Sequence, residues 1–353
     1  MSYEFVLAWG SKGSSPGQFN EITGVAVDRS GEYVYVVDTG NYRVQKFDSN
    51  GNPILTWGSF GSAPGLFNWP YGIAVDSSGN VYVVDYGNSR IQKFDGSGKF
   101  ILQWGSFGYA PGQFNLPYGI MADGFGKYVY VADEGVSRIK KFDSLGNFIL
   151  EWGSMGSGQG QFLAAYGVAV DSSGNVYVTD GANRRIQKFD GNGNFVSAWG
   201  CANAATGQCP GGVGFGRLGF PFDVAVDSSG NVYVADSPNS CIQKFDDLGN
   251  FITQWGSPGS GPGLFSSGIV YVAVDPSGKY VYVPDVNRVE KFQYIAARPP
   301  PPIPECVALE AAFLEAWERY HQNPNSANAS ALAAAYKKWE TICLQTSSRN
   351  PSP

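Results

Sequence analysis

Histidine is almost missing from this chain: His321 is the only one among 353 residues. A lyase or hydrolase built on a His-ligated metal or a His general base would have to work with that one imidazole. Charge is scarce as well, with 15% Asp, Glu, Lys and Arg against a usual fraction of about 25%, and the balance is acidic at −6. No run of Lys or Arg occurs, so the electrostatic footprint of a nucleic-acid binder is lacking, and anionic membrane surfaces are equally poor partners. Nor does any apolar run approach the roughly 18 residues of a membrane span. The opening MSYEFVLAWG has neither the basic flank nor the apolar core of a leader peptide, though it is compatible with one removed earlier.

What the chain has in quantity is Gly (47), Pro (21), Phe (23) and Tyr (20), a turn-rich, β-prone composition. It is also periodic. Trp-Gly recurs at Trp9, Trp57, Trp104, Trp152, Trp199 and Trp255, at intervals of 48, 47, 48, 47 and 56 residues. Six copies at a near-constant period indicate a repeat architecture. Within the second copy, GIAVD (72–76), NVYVVD (80–85), RIQKFD (90–95) and FILQWG (100–105) read as strands, separated by DSSGN, DYGNS and DGSGK turns. Four short antiparallel strands form a propeller blade, which buries its faces only against neighbouring blades, so the array must close into a ring.

Counting supports closure. An Asp ends the first strand at 28, 76, 123, 171, 227 and 275, and another ends the second at 38, 85, 133, 180, 236 and 285. The sixth copy lacks its fourth strand. Residues 3–9 (YEFVLAW) match that missing strand and are expected to pair with the segment near Arg288–Gln293, sealing the ring. The expectation is an all-β, six-bladed β-propeller over 1–295, followed by a small α-helical hairpin.

The pattern F-x-x-P-x-G-I/V-A-V-D-x-x-G-N-V-Y-V-x-D-x-x-N-x-R-I-Q-K-F-D resembles the NHL repeat family, and the resemblance covers about residues 3–294. It implies a six-bladed propeller that acts mainly as a binding module. Related propellers include amidating lyases and lactonases that use several His and a metal at the channel; none of the six blades here carries a His, so no enzyme activity, cofactor or metal is expected. Basic faces of the family bind RNA, which the acidic charge here disfavours. The repeated Asp are assigned to structure: the first of each copy to the DxSGN turn, the second to its own turn or to the Arg that follows. Each Trp of Trp-Gly is expected to pack between blades.

Function is therefore sought where the copies differ. Five residues before the first-strand Asp stand Thr23, Tyr71, Tyr118, Tyr166, Phe222 and Val270. The four aromatics Tyr71, Tyr118, Tyr166 and Phe222 are candidate ligand-binding residues, a platform at the channel mouth for a peptide or glycan. The fifth copy has nine extra residues around Cys201 and Cys209, read as a local disulfide, and Cys241 replaces the repeated Arg as an unpaired thiol. Beyond residue 295 a Pro-rich linker (296–305) leads to a helical hairpin (306–346) and a disordered tail (347–353). Val307, Leu309, Phe313, Leu314, Trp317 and Tyr320 fall largely on one side of its first helix. Cys306 and Cys343 would meet at the open end of that hairpin, and Asn328 begins the sequon Asn-Ala-Ser while also competing, with Ser326, for a helix N-cap. Together these features suggest a non-enzymatic, extracellular interaction scaffold, able to self-assemble into an oligomer or filament. A glycan or peptide receptor, or less plausibly a lactonase-type enzyme, are the alternatives.

Overall fold

The computed structural model describes residues 2–200, 216–266, 268, 271–295, 304–323 and 326–339. The chain divides into two compact units, Met1–Ile295 and Ala296–Pro353. In the first, the described residues form six four-stranded antiparallel sheets. Blade 2 is representative, with strands Pro70–Val75, Val81–Asp85, Arg90–Phe94 and Phe100–Trp104. The first lines the centre and the last forms the outer edge; the second and third are buried on both faces, which is why they read as continuous Val/Ile/Tyr/Phe runs. Between second and third strands a short 3₁₀ turn, Tyr86–Asn88, ends on Ser89 at φ 51°.

Closure occurs where the sequence pattern placed it. Ser2–Trp9 pairs antiparallel with Arg288–Ile295, Tyr3 opposite Tyr294 and Phe5 opposite Phe292, with a bulge at Val6. The innermost strand of this sixth blade is the shortest, Ala273–Val274.

Aromatic side chains hold the blades together. Trp57, at the end of blade 1, packs on Phe94 of blade 2 at 5.8 Å between ring centroids. Its ring covers the outer turn of that blade so closely that a Cβ at Gly98 would stand 2.9 Å from it. The arrangement repeats for Trp9 over Gly51, Trp104 over Gly146, Trp152 over Gly193 and Trp199 over Gly249. At the seam no such glycine follows, and Trp255 stacks instead on Tyr3, 4.2 Å away and 23° from parallel. Each aromatic ring removes on the order of 150–250 Å² from water, making these contacts the main cohesion between blades.

Within a blade the buried element is polar. Asp85 is fully buried and accepts from Arg90 Nε (2.7 Å), Asn88 Nδ2 (2.9 Å), Gln92 Nε2 (3.0 Å) and the backbone N–H of Asn68 (2.7 Å). Arg90 then donates to the carbonyls of Ser62, Ala63 and Leu66, so the network clamps the long connection between blades onto the sheet. Burial raises the Asp85 carboxyl above its usual range in spite of these partners. The first-strand Asp serve the turns as expected: Asp76 accepts from the N–H groups of Ser78 and Asn80 and from the Tyr82 hydroxyl.

The second unit holds helices α1 (Pro304–Gln322) and α2 (Ser326–Trp339). α1 begins at Pro304, inside the stretch expected to be spacer. The helices pack through Phe313 and Tyr336, 5.8 Å apart, with Leu309 buried. Leu314 and Trp317, expected on the packed side of α1, are 53% and 45% exposed. Asn328 lies inside α2, and its Nδ2 donates to the Asn323 carbonyl (2.7 Å) and the Arg319 carbonyl (3.4 Å), closing the C-terminal end of α1. Cys201, Cys209 and Cys343 lie outside the described residues, as does the Cys306 side chain.

Truncating Asp85 to Ala would leave Arg90 buried without its counter-charge. The expected cost is about 3–5 kcal/mol, read as a lowered midpoint in urea denaturation followed by circular dichroism.

Candidate functional site

The connections between blades and the turns between second and third strands emerge on one face, here the mouth face. The four candidate aromatics meet there. Tyr71 and Tyr118 lie 5.0 Å apart, Tyr118 and Tyr166 5.0 Å, and Tyr166 stacks on Phe222 at 4.4 Å, 6° from parallel. All four are half-buried. Burial and the neighbouring hydroxyls of Tyr86 and Tyr71 raise the Tyr118 phenol well above its ordinary value. Thr23, at the same repeat position in blade 1, is absorbed into the scaffold through bonds to Thr39 and the Pro70 carbonyl, and Val270 lies outside the described residues. Three residues not singled out from sequence complete the cluster: Tyr86, 4.9 Å from Tyr71; Phe220, 6.0 Å from Tyr166; and Tyr271, 5.8 Å from Phe222.

Below this cluster the channel is narrow for a stated reason. Gly24, Gly72 and Gly119 let adjoining inner strands approach so closely that an added Cβ would stand 2.4, 2.3 and 2.2 Å from the carbonyl oxygens of Tyr71, Tyr118 and Tyr166. Gly167 continues the row; blade 5 then places Asp223 there, and blade 6 Tyr271. Asp223 lines the channel and accepts from the Val272 N–H at 3.1 Å. The residue is half-buried, and the desolvation of its carboxyl pushes it up to about 7. Above it, Thr23, Tyr71, Phe222 and Tyr271 help line a cavity of about 450 Å³.

The outer part of the mouth face carries exposed apolar side chains at one position of successive connections: Phe60 (65% exposed), Phe107 (66%) and Met155 (76%). The two phenylalanines are not isolated. Phe60 packs on Tyr42 at 5.0 Å, Tyr42 on Trp69 at 5.8 Å, and Phe107 on Tyr109 at 6.1 Å. On the opposite face Asp76, Asp123, Asp171 and Asp227 surround the channel, but each carboxylate is engaged by its own turn. Cys241 is buried and unpaired, with its thiol pushed up to about 12 by burial, which leaves it unreactive. Among the described residues no group of three or more His, Cys, Asp or Glu is placed to hold a metal.

The NHL repeat family matches residues 19–47, 67–94, 166–189 and 218–245, stretches that run from a connection to the end of a third strand in blades 1, 2, 4 and 5. Blades 1, 2, 4 and 5 thus contain NHL repeats. The human NHL repeat-containing protein 3 is 34% identical over 104 residues, 29% of this chain, which spans 28% of that relative's length. Solved propellers share the NHL chain's fold at lower identity. One is a gluconolactonase of Xanthomonas campestris (14% identical, TM-score 0.56, 79% of this chain and 87% of that one). Another is a Bacteroides thetaiotaomicron protein of unknown function (16% identical, TM-score 0.60, 81% and 76%). At such identities the likeness concerns the fold alone.

Asp223 generates a pH-dependence. Its folded-state value near 7 lies above the ordinary 3.8, so its contribution to stability is fully present below pH 3.8 and lost as pH rises through 7. Asp223→Asn lacks this component. Its urea midpoint is expected to gain on the wild type between pH 5 and 8, by on the order of 2 kcal/mol. A difference that stays flat across that range would sink the assignment of a buried, partly protonated acid.

Proposed function

We propose that this NHL propeller is a non-catalytic protein-interaction scaffold that receives an extended segment of a partner protein on its mouth face. The observation that carries this reading is the exposed apolar side chains at the tips of successive connections, Phe60 and Trp69 both packed on Tyr42, Phe107 packed on Tyr109, and Met155 at the equivalent position of the next connection, since clustered exposed apolar surface marks interaction sites whereas isolated exposed residues do not. The exposed Phe125, Leu145 and Leu248 stand singly in separate turns elsewhere. An extracellular setting suits the two cysteine pairs, 201 with 209 and 306 with 343.

The test is selection of ligands from a random-peptide display library on the full chain, followed by binding to variants. Phe107→Ser combined with Tyr109→Ser is expected to weaken the selected peptides about tenfold or more, and Leu145→Ser with Leu248→Ser to leave them unchanged. Equal losses in both variants would defeat the mouth-face reading.

A second reading, self-assembly through the helical unit, draws on the exposed Leu314 and Trp317 of α1. Light scattering after size exclusion, on the full chain and on a chain ending at Ile295, decides it: monomers in both cases exclude it.

A further inference from the structure

The row of channel-facing positions is Gly24, Gly72, Gly119, Gly167, Asp223 and Tyr271. Four blades follow a steric rule there and two adjacent blades break it, each with a polar side chain. A repeat explains what recurs, and nothing in blade closure calls for an acid and a phenol at this level. Asp223 takes part in none of the ion pairs among the described residues. Tyr271 is 6% exposed, and its hydroxyl has no hydrogen-bond partner. Its ring packs on Phe222 at 5.8 Å, and the residue borders both the channel cavity and the 450 Å³ mouth cavity. Asp223 and Tyr271 thus border one channel cavity, and Tyr271 with Tyr71 and Phe222 borders the mouth cavity above it.

We infer that this cluster binds an organic ammonium group, with the Asp223 carboxylate taking the charge, the Tyr271 hydroxyl accepting an N–H, and the rings of Tyr71, Tyr118, Tyr166 and Phe222 facing the alkyl part. Aromatic faces attract organic cations, and a carboxylate at the bottom of an aromatic cup selects charge over a neutral isostere. One carboxylate and one phenol supply too few oxygens for Ca²⁺, which takes about six to eight. Asp223 Oδ2 is already engaged by the Val272 N–H, so the fork of a guanidinium would find only part of its match. A free amine and a lysine side chain of a bound peptide share this chemistry. The site is independent of the outer apolar tips, so it stands or falls separately from the docking reading.

Isothermal titration calorimetry on the full chain tests it with n-butylammonium chloride, a blocked Gly-Lys-Gly peptide, n-pentanol and calcium chloride. Saturable one-site binding of butylammonium or the peptide is expected, with pentanol and calcium silent; the tighter of the two ammonium probes identifies the source. Asp223→Asn should weaken that binding about tenfold or more, and Tyr118→Leu about threefold or more, with unfolding midpoints showing that both are folded. Should Asp223→Asn fail to fold, Tyr118→Leu and the contrast between butylammonium and pentanol on the wild-type chain decide. No ammonium binding, pentanol binding as tightly as butylammonium, calcium binding in place of ammonium, or unchanged affinity in folded Asp223→Asn would each overturn the site.

Discussion

The structure depends on a buried carboxylate at the end of the second strand of every blade. Asp38, Asp85, Asp133, Asp180, Asp236 and Asp285 are all buried, and each accepts a backbone N–H from the connection that precedes its own blade. A connection of this length, rich in Gly and Pro, has little regular structure and would otherwise be mobile. The counter-charge is what varies. Arg supplies it in blades 1, 2 and 4, while in blade 3 Lys140 pairs with Asp133 at 2.8 Å and Arg138 turns to Glu151. Blade 5 has Cys241 in place of the Arg, and there Asp236 accepts from the N–H groups of Gly219 and Phe220 and from the side-chain amides of Asn239 and Gln243. The carboxylate persists while its cation changes, so its essential role is to hold backbone. The cation offsets the cost of burying it.

From that clamp follows the geometry of the mouth. With connections fixed to the blades, the innermost strands converge closely enough that carbonyl oxygens of one blade occupy the space of a neighbour's missing Cβ. Glycine is required here by the approach of another backbone, since Gly72 and Gly119 have ordinary φ. Where blades 5 and 6 abandon glycine, the sixth blade's inner strand shortens to two residues and the channel admits side chains. The ring is tight where it repeats and open where it does not.

Much of this was legible in the sequence because the repeat states each position several times. Blade number, the seam at Ser2–Trp9, the turn-holding Asp76 and the inter-blade Trp57 rest on patterns that six copies make unambiguous. What could not be read was convergence across blades. Tyr71, Tyr118, Tyr166 and Phe222 could be aligned in register, but Tyr86 and Tyr271 occupy other positions of the repeat and join the cluster only once the strands are folded, Tyr86 against Tyr71 of its own blade and Tyr271 against Phe222 of its neighbour. Asp223 left a trace, as the one acid in a glycine row. That trace is meaningful only once the row is known to face the channel. The exposed apolar tips were missed for a related reason: Phe60 and Phe107 lie in Gly-Pro connections whose path depends on the buried carboxylate and its cation, Asp85 with Arg90 and Asp133 with Lys140. In the helical unit, Leu314 and Trp317 fell on the apolar side of a helical pattern, but a two-helix pair covers only one stripe of each helix, and both side chains remain exposed.

A scaffold of this kind shapes what binding at its mouth can cost. The connections that bear Phe60, Phe107 and Met155 are held before any partner arrives, by bridges such as Phe60 to Phe67 and by contacts to their carbonyls from Arg90, Lys140 and Arg185 respectively. Little loop ordering remains to oppose association, so the affinity of the face reflects its side chains more directly than it would in a mobile loop surface. The blades also make those side chains interchangeable: a substitution at the tip of one connection leaves the clamp beneath it untouched. Lys12, Phe60, Phe107, Met155 and Pro258 occupy one equivalent position in five blades with different chemistry, while the buried phenylalanine opposite each is the same. Recognition can therefore diverge blade by blade without loss of the ring, and the variation of this face among the described tips, from Lys12 to Phe60, Phe107, Met155 and Pro258, is a property of the tips alone.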